Sequence, residues 1–222
     1  MGEEKAAAAI RVDIVSDVVC PWCIVGFKQL ERALALAGEG LALQLRWHPF
    51  ELNPQMPSEG QELTEHVAEK YGATPAESAA TRERIAELGA AVGFTFRYYP
   101  DMRIVNTFQA HQLLQWAGPS GRQHALKMAL FEAYFARQER VDDPAVLAAA
   151  AGRAGLDEDE AAAVLAAGSH GEGVRRSEAF WLQQGIQGVP AMVFEERYLV
   201  SGAQGVENYL EILRRLGAAP TS

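Results

Sequence analysis

Apolar and polar positions alternate along IRVDIVS, residues 10–16, a stretch rich in β-branched side chains, and this alternation predicts a strand. After Pro21 the spacing changes: Trp22, Val25, Leu30, Ala33, Leu34 and Ala37 recur at helical intervals until Gly38 and Gly40 end the run. LALQLRWHPF, residues 41–50, alternates again, so the N-terminal part reads β-α-β. Helical spacing then dominates over residues 62–71, 75–92, 105–116, 121–136, 144–154, 157–165 and 172–184, broken only by a few strand-like residues at 94–96. Pro75 and Pro144 stand near helix starts, where a missing amide hydrogen costs nothing. Near the end, residues 191–194 and 198–200 flank a polar turn and predict a hairpin. An amphipathic helix follows through Val206, Leu210, Leu213 and Leu216, with SGAQ, residues 201–204, as its expected cap.

Composition narrows the class of protein. At 222 residues, 49% hydrophobic, the chain can bury a sizeable core, and a net charge of -9 without a dense Lys/Arg run argues against a nucleic-acid partner. The apolar run before Arg11 is about five residues, short of the roughly 7 to 15 of a secretory signal. No stretch reaches the roughly 18 apolar residues of a membrane span. The expected location is the cytoplasm, with no membrane partner. A purely structural disulfide is not expected there.

The chain's two cysteines, Cys20 and Cys23, stand three positions apart at the first strand-to-helix junction, in VCPWCIVG. Pro21 favours the first helical position, which sets the Cys20 sulfur against unpaired helix amides and the positive end of the macrodipole. Cysteines so placed have pKa values of about 3.5 to 7.5, against about 8.5 for a free thiol. Cys23 lies one turn on and shares that helix face. Cys20 is therefore expected as an exposed attacking thiolate and Cys23 as the shielded thiol that resolves a mixed disulfide. A closed zinc site needs about four ligands, and the five histidines show no paired spacing, so no metal is expected. Inert core packing of the two thiols is the plainer alternative.

Several other residues are candidates for the site. Pro21 and Trp22 separate the cysteines and would tune their redox poise, while GVPAMVF places Val189 and Pro190 in a loop directly before a strand. NTFQAH puts Asn106 and His111 on a helical segment that could overhang the cysteines as substrate contacts, although a structural role is the simpler reading of His111. FELNP, residues 50–54, either lines a pocket or ends the second strand, and Met192 reads as core filler.

SDVVCPWCIVG, WHPFELNP, NTFQAH, GVPAMVF and SGAQ together resemble the DsbA-like thiol-disulfide oxidoreductases, most of all their FrnE-like branch, over about residues 10–216. The resemblance implies an α/β, thioredoxin-like fold with an inserted all-helical domain. Residues 1–60 and 186–222 would form the thioredoxin-like domain, and 61–185 the helical insertion. It implies Cys20 as nucleophile, Cys23 as resolving thiol, and a cis bond before Pro190 that leaves the Val189 backbone free for an extended substrate. A redox-active disulfide then replaces any bound cofactor, glutathione is a candidate co-substrate, and the partners are disulfide-containing proteins or small molecules. Kappa-class glutathione transferases and 2-hydroxychromene-2-carboxylate isomerases are similar around SDVVCPW. They typically carry serine where Cys20 stands, which leaves them as the alternative.

Overall fold

The computed structural model describes residues 8–38 and 40–217. β1 (Ala8–Ser16), α1 (Pro21–Ala37) and β2 (Leu41–Pro49) form the expected β-α-β unit. β1 and β2 are parallel, with Ile14 opposite Trp47, and α1 is the crossover that parallel neighbours require. Trp47 pairs on its other side with a side chain: its N–H donates to Gln123 Oε1 (3.0 Å), and Gln123 Nε2 donates back to the Trp47 carbonyl (3.0 Å). That amide mimics a neighbouring strand and closes part of the sheet edge.

The helical segment opens with β3 (Gln61–Glu62), followed by α2 (Leu63–Tyr71), α3 (Pro75–Ala91), β4 (Arg103–Ile104), α4 (Phe108–Trp116) and α5 (Gln123–Phe131). β3 and β4 pair antiparallel, a contact too short to show as alternation in the sequence. Residues 94–96 form no strand. Their apolar side chains serve ring packing instead, with Phe96 centroids 5.0 Å from both Phe94 and Phe135. After Phe131 the helix widens into a π-helical turn, Glu132–Ala136, and α6 (Pro144–Arg153), α7 (Glu158–Ala167) and α8 (Gly171–Gln183) follow. Thr74 and Glu77 cap α3 reciprocally, while Asp143 and Asp157 cap α6 and α7.

β5 (Ala191–Phe194), β6 (Tyr198–Ser201) and α9 (Val206–Gly217) complete the chain. The main sheet has the order β2-β1-β5-β6, with β5 antiparallel to both β1 and β6. Ser201 ends β6 and does not cap α9; Gln29 of α1 takes that role, its Oε1 accepting the Gly205 N–H at 2.9 Å. One apolar cluster joins Ile14, Ile24 and Leu30 to Leu113, Leu126 and Phe131 of the helical segment and to Phe194 and Tyr209 of the tail. Met192 is buried, as expected of core filler.

Gly89 shows how closely the helical segment is fitted. A Cβ there would sit 2.5 Å from the Phe96 ring and 2.8 Å from the Phe94 carbonyl oxygen. Gly89→Ala is expected to lower stability by about 1–3 kcal/mol despite the better helix propensity of alanine. Urea unfolding measures it, and an unchanged or raised midpoint would contradict this packing.

Candidate active site

β1 ends at Ser16, and the turn through Asp17 to Val19 delivers Cys20 to the position just before α1. Cys20 has extended backbone geometry there (φ -90, ψ 111), and Pro21 follows as the first helical residue. The Cys23 N–H donates to the Cys20 carbonyl at 3.1 Å. Both cysteines are free thiols, and the Cys20 thiol points to the Val189 carbonyl at 3.9 Å. The Val189–Pro190 bond is cis. Gly26 of α1 faces this loop: a Cβ there would make ordinary contact with Ala203 (3.4 Å) and Pro190 (3.5 Å).

Exposure departs from the expectation, because Cys20 is only 3% exposed. Leu52, Asn53 and Tyr71 surround it, and Cys20 forms part of the wall of a partly open pocket of 390 Å³. Pro21, Trp22 and Val189 line the same pocket; Cys23, wholly buried, does not. A larger cleft of 740 Å³, bordered by Arg11, His48 and Trp181, holds neither cysteine.

Three polar side chains lie buried beneath the pair. The Asp17 carboxylate accepts the Val18 N–H (2.7 Å) and the Leu52 N–H (2.8 Å), which ties the Cys20 turn to the segment after β2. His111 Nε2 lies 3.3 Å from Asp17 Oδ1 and 3.2 Å from the Phe50 carbonyl. Both neighbours are acceptors, so Nε2 carries the hydrogen. Lys127, 1% exposed, donates to the Ser16 carbonyl at 3.3 Å. It also lies over the rings of Phe131 (4.9 Å) and Trp47 (5.3 Å). It stands one turn beyond Gln123, so the hydrogen bonds that dock α5 on β2 also bring the ammonium to the Ser16 carbonyl.

This surrounding sets the titration of each group. Burial disfavours the Asp17 carboxylate, but the His111 bond, the Leu52 N–H and the Lys127 charge outweigh it and hold the pKa below the usual value. Burial pulls Lys127 down to about 8, while Cys23, Asp17 and Cys20 favour its charged form. The thiols titrate as a pair. At Cys20 the hydrogen bond with Cys23, and then burial, hold the proton well above the ordinary thiol range. Burial opposes ionisation of Cys23 as well, yet bonds from Cys20 and Ser16 and the Lys127 charge bring it below that range. The position at a helix start favours the Cys20 thiolate, and the burial of Cys20 opposes it.

Asn106 and His111 do not line the pocket. Asn106 Oδ1 accepts the Phe108 N–H (2.9 Å) at the start of α4, and His111 is behind Asp17. Phe50 ends the second strand's segment, while Leu52 and Asn53 do reach the pocket wall. Lys127 escaped the sequence reading, although a lone lysine inside the apolar run ALKMALF was a visible signal. Among the described residues no cluster of His, Cys, Asp and Glu could hold a metal ion, and no helix is long and apolar enough to cross a membrane.

A cysteine pair at a helix start, facing an X-Pro loop that leads into the sheet, is the site of a thioredoxin-like fold with a helical insert. The family model for the DSBA-like thioredoxin domain matches residues 11–214, and the chain belongs to that family. It is similar to a probable DsbA oxidoreductase from Streptomyces coelicolor, 34% identical with a TM-score of 0.86, covering 96% of this chain and 92% of the other. The fold is shared by the cytosolic disulfide reductase DsbM from Pseudomonas aeruginosa (19% identity, TM-score 0.61, 93% and 98% covered), also solved with GSH. It is shared too by a 2-hydroxychromene-2-carboxylate isomerase (14%, TM-score 0.69, 93% and 95%).

Proposed function

We propose that the chain catalyses thiol-disulfide exchange, with Cys20 as the attacking and Cys23 as the resolving thiol. One observation carries this reading: Cys20 reaches the pocket, and Cys23 stands one turn behind it, fully buried, with its N–H donating to the Cys20 carbonyl at 3.1 Å. The Cys20 proton passes to the Cys23 thiolate, which the buried Lys127 and Ser16 favour. The Cys20 sulfur then attacks a substrate disulfide, forming a mixed disulfide and releasing one thiolate. Cys23 gives its proton to the released thiolate and attacks Cys20. A Cys20–Cys23 disulfide forms, the second thiolate leaves, and two electrons have passed from the pair to the substrate. A thiol such as glutathione would return the pair to the dithiol, in keeping with the GSH of the DsbM structure. Lys127 is here a positioning residue: its charge steadies whichever sulfur is ionised.

The division into residues 1–60 with 186–222 and an insert of 61–185, membership of the FrnE-like branch, and a cytoplasmic location belong to the same proposal. The likeness to a cytosolic reductase supports the last of these. A glutathione transferase or isomerase is the second reading, favoured by the fold shared with the isomerase and weakened by the presence of both sulfurs.

Direction follows from the proposed location: in a reducing cytoplasm an open thiol pair stands reduced and donates electrons. Equilibration with glutathione buffers is expected to give a potential below about -200 mV, on the reductase or isomerase side. A value near DsbA's, about -120 mV, would reverse the assigned direction.

A further inference from the structure

The pocket beside Cys20 has features that disulfide exchange by itself does not require. Its 390 Å³ fall within the roughly 300–1,000 Å³ of small-ligand pockets, and it is walled by Leu63, Ile85, Met102, Ile104, Tyr134 and Phe135. The π-helical turn after α5 supplies Tyr134 and Phe135. Tyr134 is already committed, since its hydroxyl donates to the Arg103 carbonyl at 2.9 Å.

Two other polar groups in the lining are not committed in this way. The Tyr98 hydroxyl is buried and has no hydrogen-bond partner among the described residues. A buried hydroxyl left so is costly, and in a native structure it calls for an absent partner. Arg82 of α3 is half-buried, and its one side-chain hydrogen bond among the described residues goes to the neutral Ser78 Oγ (3.0 Å). Glu62 feels the Arg82 charge but turns its carboxylate onto the Glu65 N–H (2.8 Å). An unmatched cation and an unmatched hydroxyl therefore share a largely apolar pocket with Cys20, where Asn53, His66 and Ser78 are already hydrogen-bonded to Lys70, Gln61 and Arg82.

Resting on the exchange reading above, we propose that this site takes a small disulfide whose body is aromatic or aliphatic and bears an anionic oxygen group. Its sulfur would meet Cys20 and its anion Arg82 and Tyr98. An extended polypeptide fits poorly, because Cys20 is almost wholly enclosed and its thiol is turned onto the Val189 carbonyl that would pair with a peptide. Glutathione fits less well, since its ammonium and second carboxylate would meet Asn53, His66 and Ser78, which are already hydrogen-bonded to Lys70, Gln61 and Arg82. An apolar carboxylated disulfide satisfies all three elements. Attack by Cys20 releases one carboxylated thiolate, resolution by Cys23 releases the other, and the two electrons come from the protein's own thiols.

The test is a single-turnover reaction of the reduced full chain with four probes: the disulfide of thionitrobenzoate, its dimethyl ester, oxidised glutathione and hydroxyethyl disulfide. Each rate is divided by that of the probe with free dithiothreitol, which removes intrinsic reactivity. The thionitrobenzoate disulfide is expected to exceed its ester and oxidised glutathione by at least about tenfold, the worth of a hydrogen bond to a charged group. Arg82→Gln should bring the acid-to-ester ratio to near one, and Tyr98→Phe should lower it. The wild-type ratios alone decide the matter if either variant fails to fold. Equal corrected rates for acid and ester, or a preference for oxidised glutathione, would overturn the proposal while continued reaction with hydroxyethyl disulfide upheld exchange. Reaction with none of the four would overturn both.

Discussion

Replacing Cys20 by Ser is expected to abolish disulfide reduction, with turnover falling to the rate of the uncatalysed reagents. The hydroxyl left behind does not ionise at neutral pH and cannot form the mixed disulfide on which both later steps depend. Cys23→Ala should behave differently. Cys20 still faces the pocket, so the first attack proceeds, but no internal thiol remains to release the product. The variant should accumulate one substrate equivalent bound through Cys20, seen as an adduct in intact-mass spectra and cleared by dithiothreitol. The variant also lacks the partner that holds the Cys20 proton and receives it. The pH dependence of adduct formation should therefore change along with its fate. Full turnover by Cys20→Ser, or no adduct on Cys23→Ala, would contradict the assigned roles.

Asp17→Ala is expected to cost about 3–5 kcal/mol of stability, the range for removing one member of a buried polar pair. The substitution strands the Leu52 and Val18 N–H groups in a buried interior and leaves the His111 Nε2–H with the Phe50 carbonyl alone. The same carboxylate gives a pH dependence of known sign. Its folded pKa is depressed, so its stabilising contribution is complete above the unfolded value of about 3.9 and is lost as pH falls through the folded value. Asp13, also depressed, adds to the loss in the same direction: burial opposes its ionisation, and His48 and Arg11 outweigh it. Thermal unfolding from neutral pH down into this acid range measures the slope. Asp17→Ala should start lower and fall less steeply, whereas a variant that tracks the wild type at every pH would show that Asp17 bears no such load.

The main sheet and the order of helices were legible because their periodicity is strong and their ends are marked by Pro21, Gly38, Pro75 and Pro144. The contacts that sequence spacing could not reveal are those made by side chains far apart in the chain. Gln123 acts as a strand neighbour to Trp47, Gln29 caps a helix from the other end of the chain, and β3 meets β4 over two residues only. The cysteine pair and Pro190 were visible as motifs, and the Val189–Pro190 bond is cis as the resemblance implied. The deep cover over Cys20 was not, since it comes from α2, α3 and the π-helical turn folding back over the pair. The same long-range packing decides what Asn106 and His111 touch. Asn106 stands just before α4 and His111 on it, behind Asp17, and a motif on one helix carries no information about which side of the cysteines it will occupy.

The exchange reading is tested most directly by oxidising the reduced protein with a limiting small disulfide and following both products. Two substrate thiols should appear for each protein molecule, the intact mass should fall by two hydrogens, and peptide mapping should find Cys20 joined to Cys23. A stable glutathione thioether on an electrophilic substrate, with both protein thiols still free, would contradict exchange and establish the transferase reading instead.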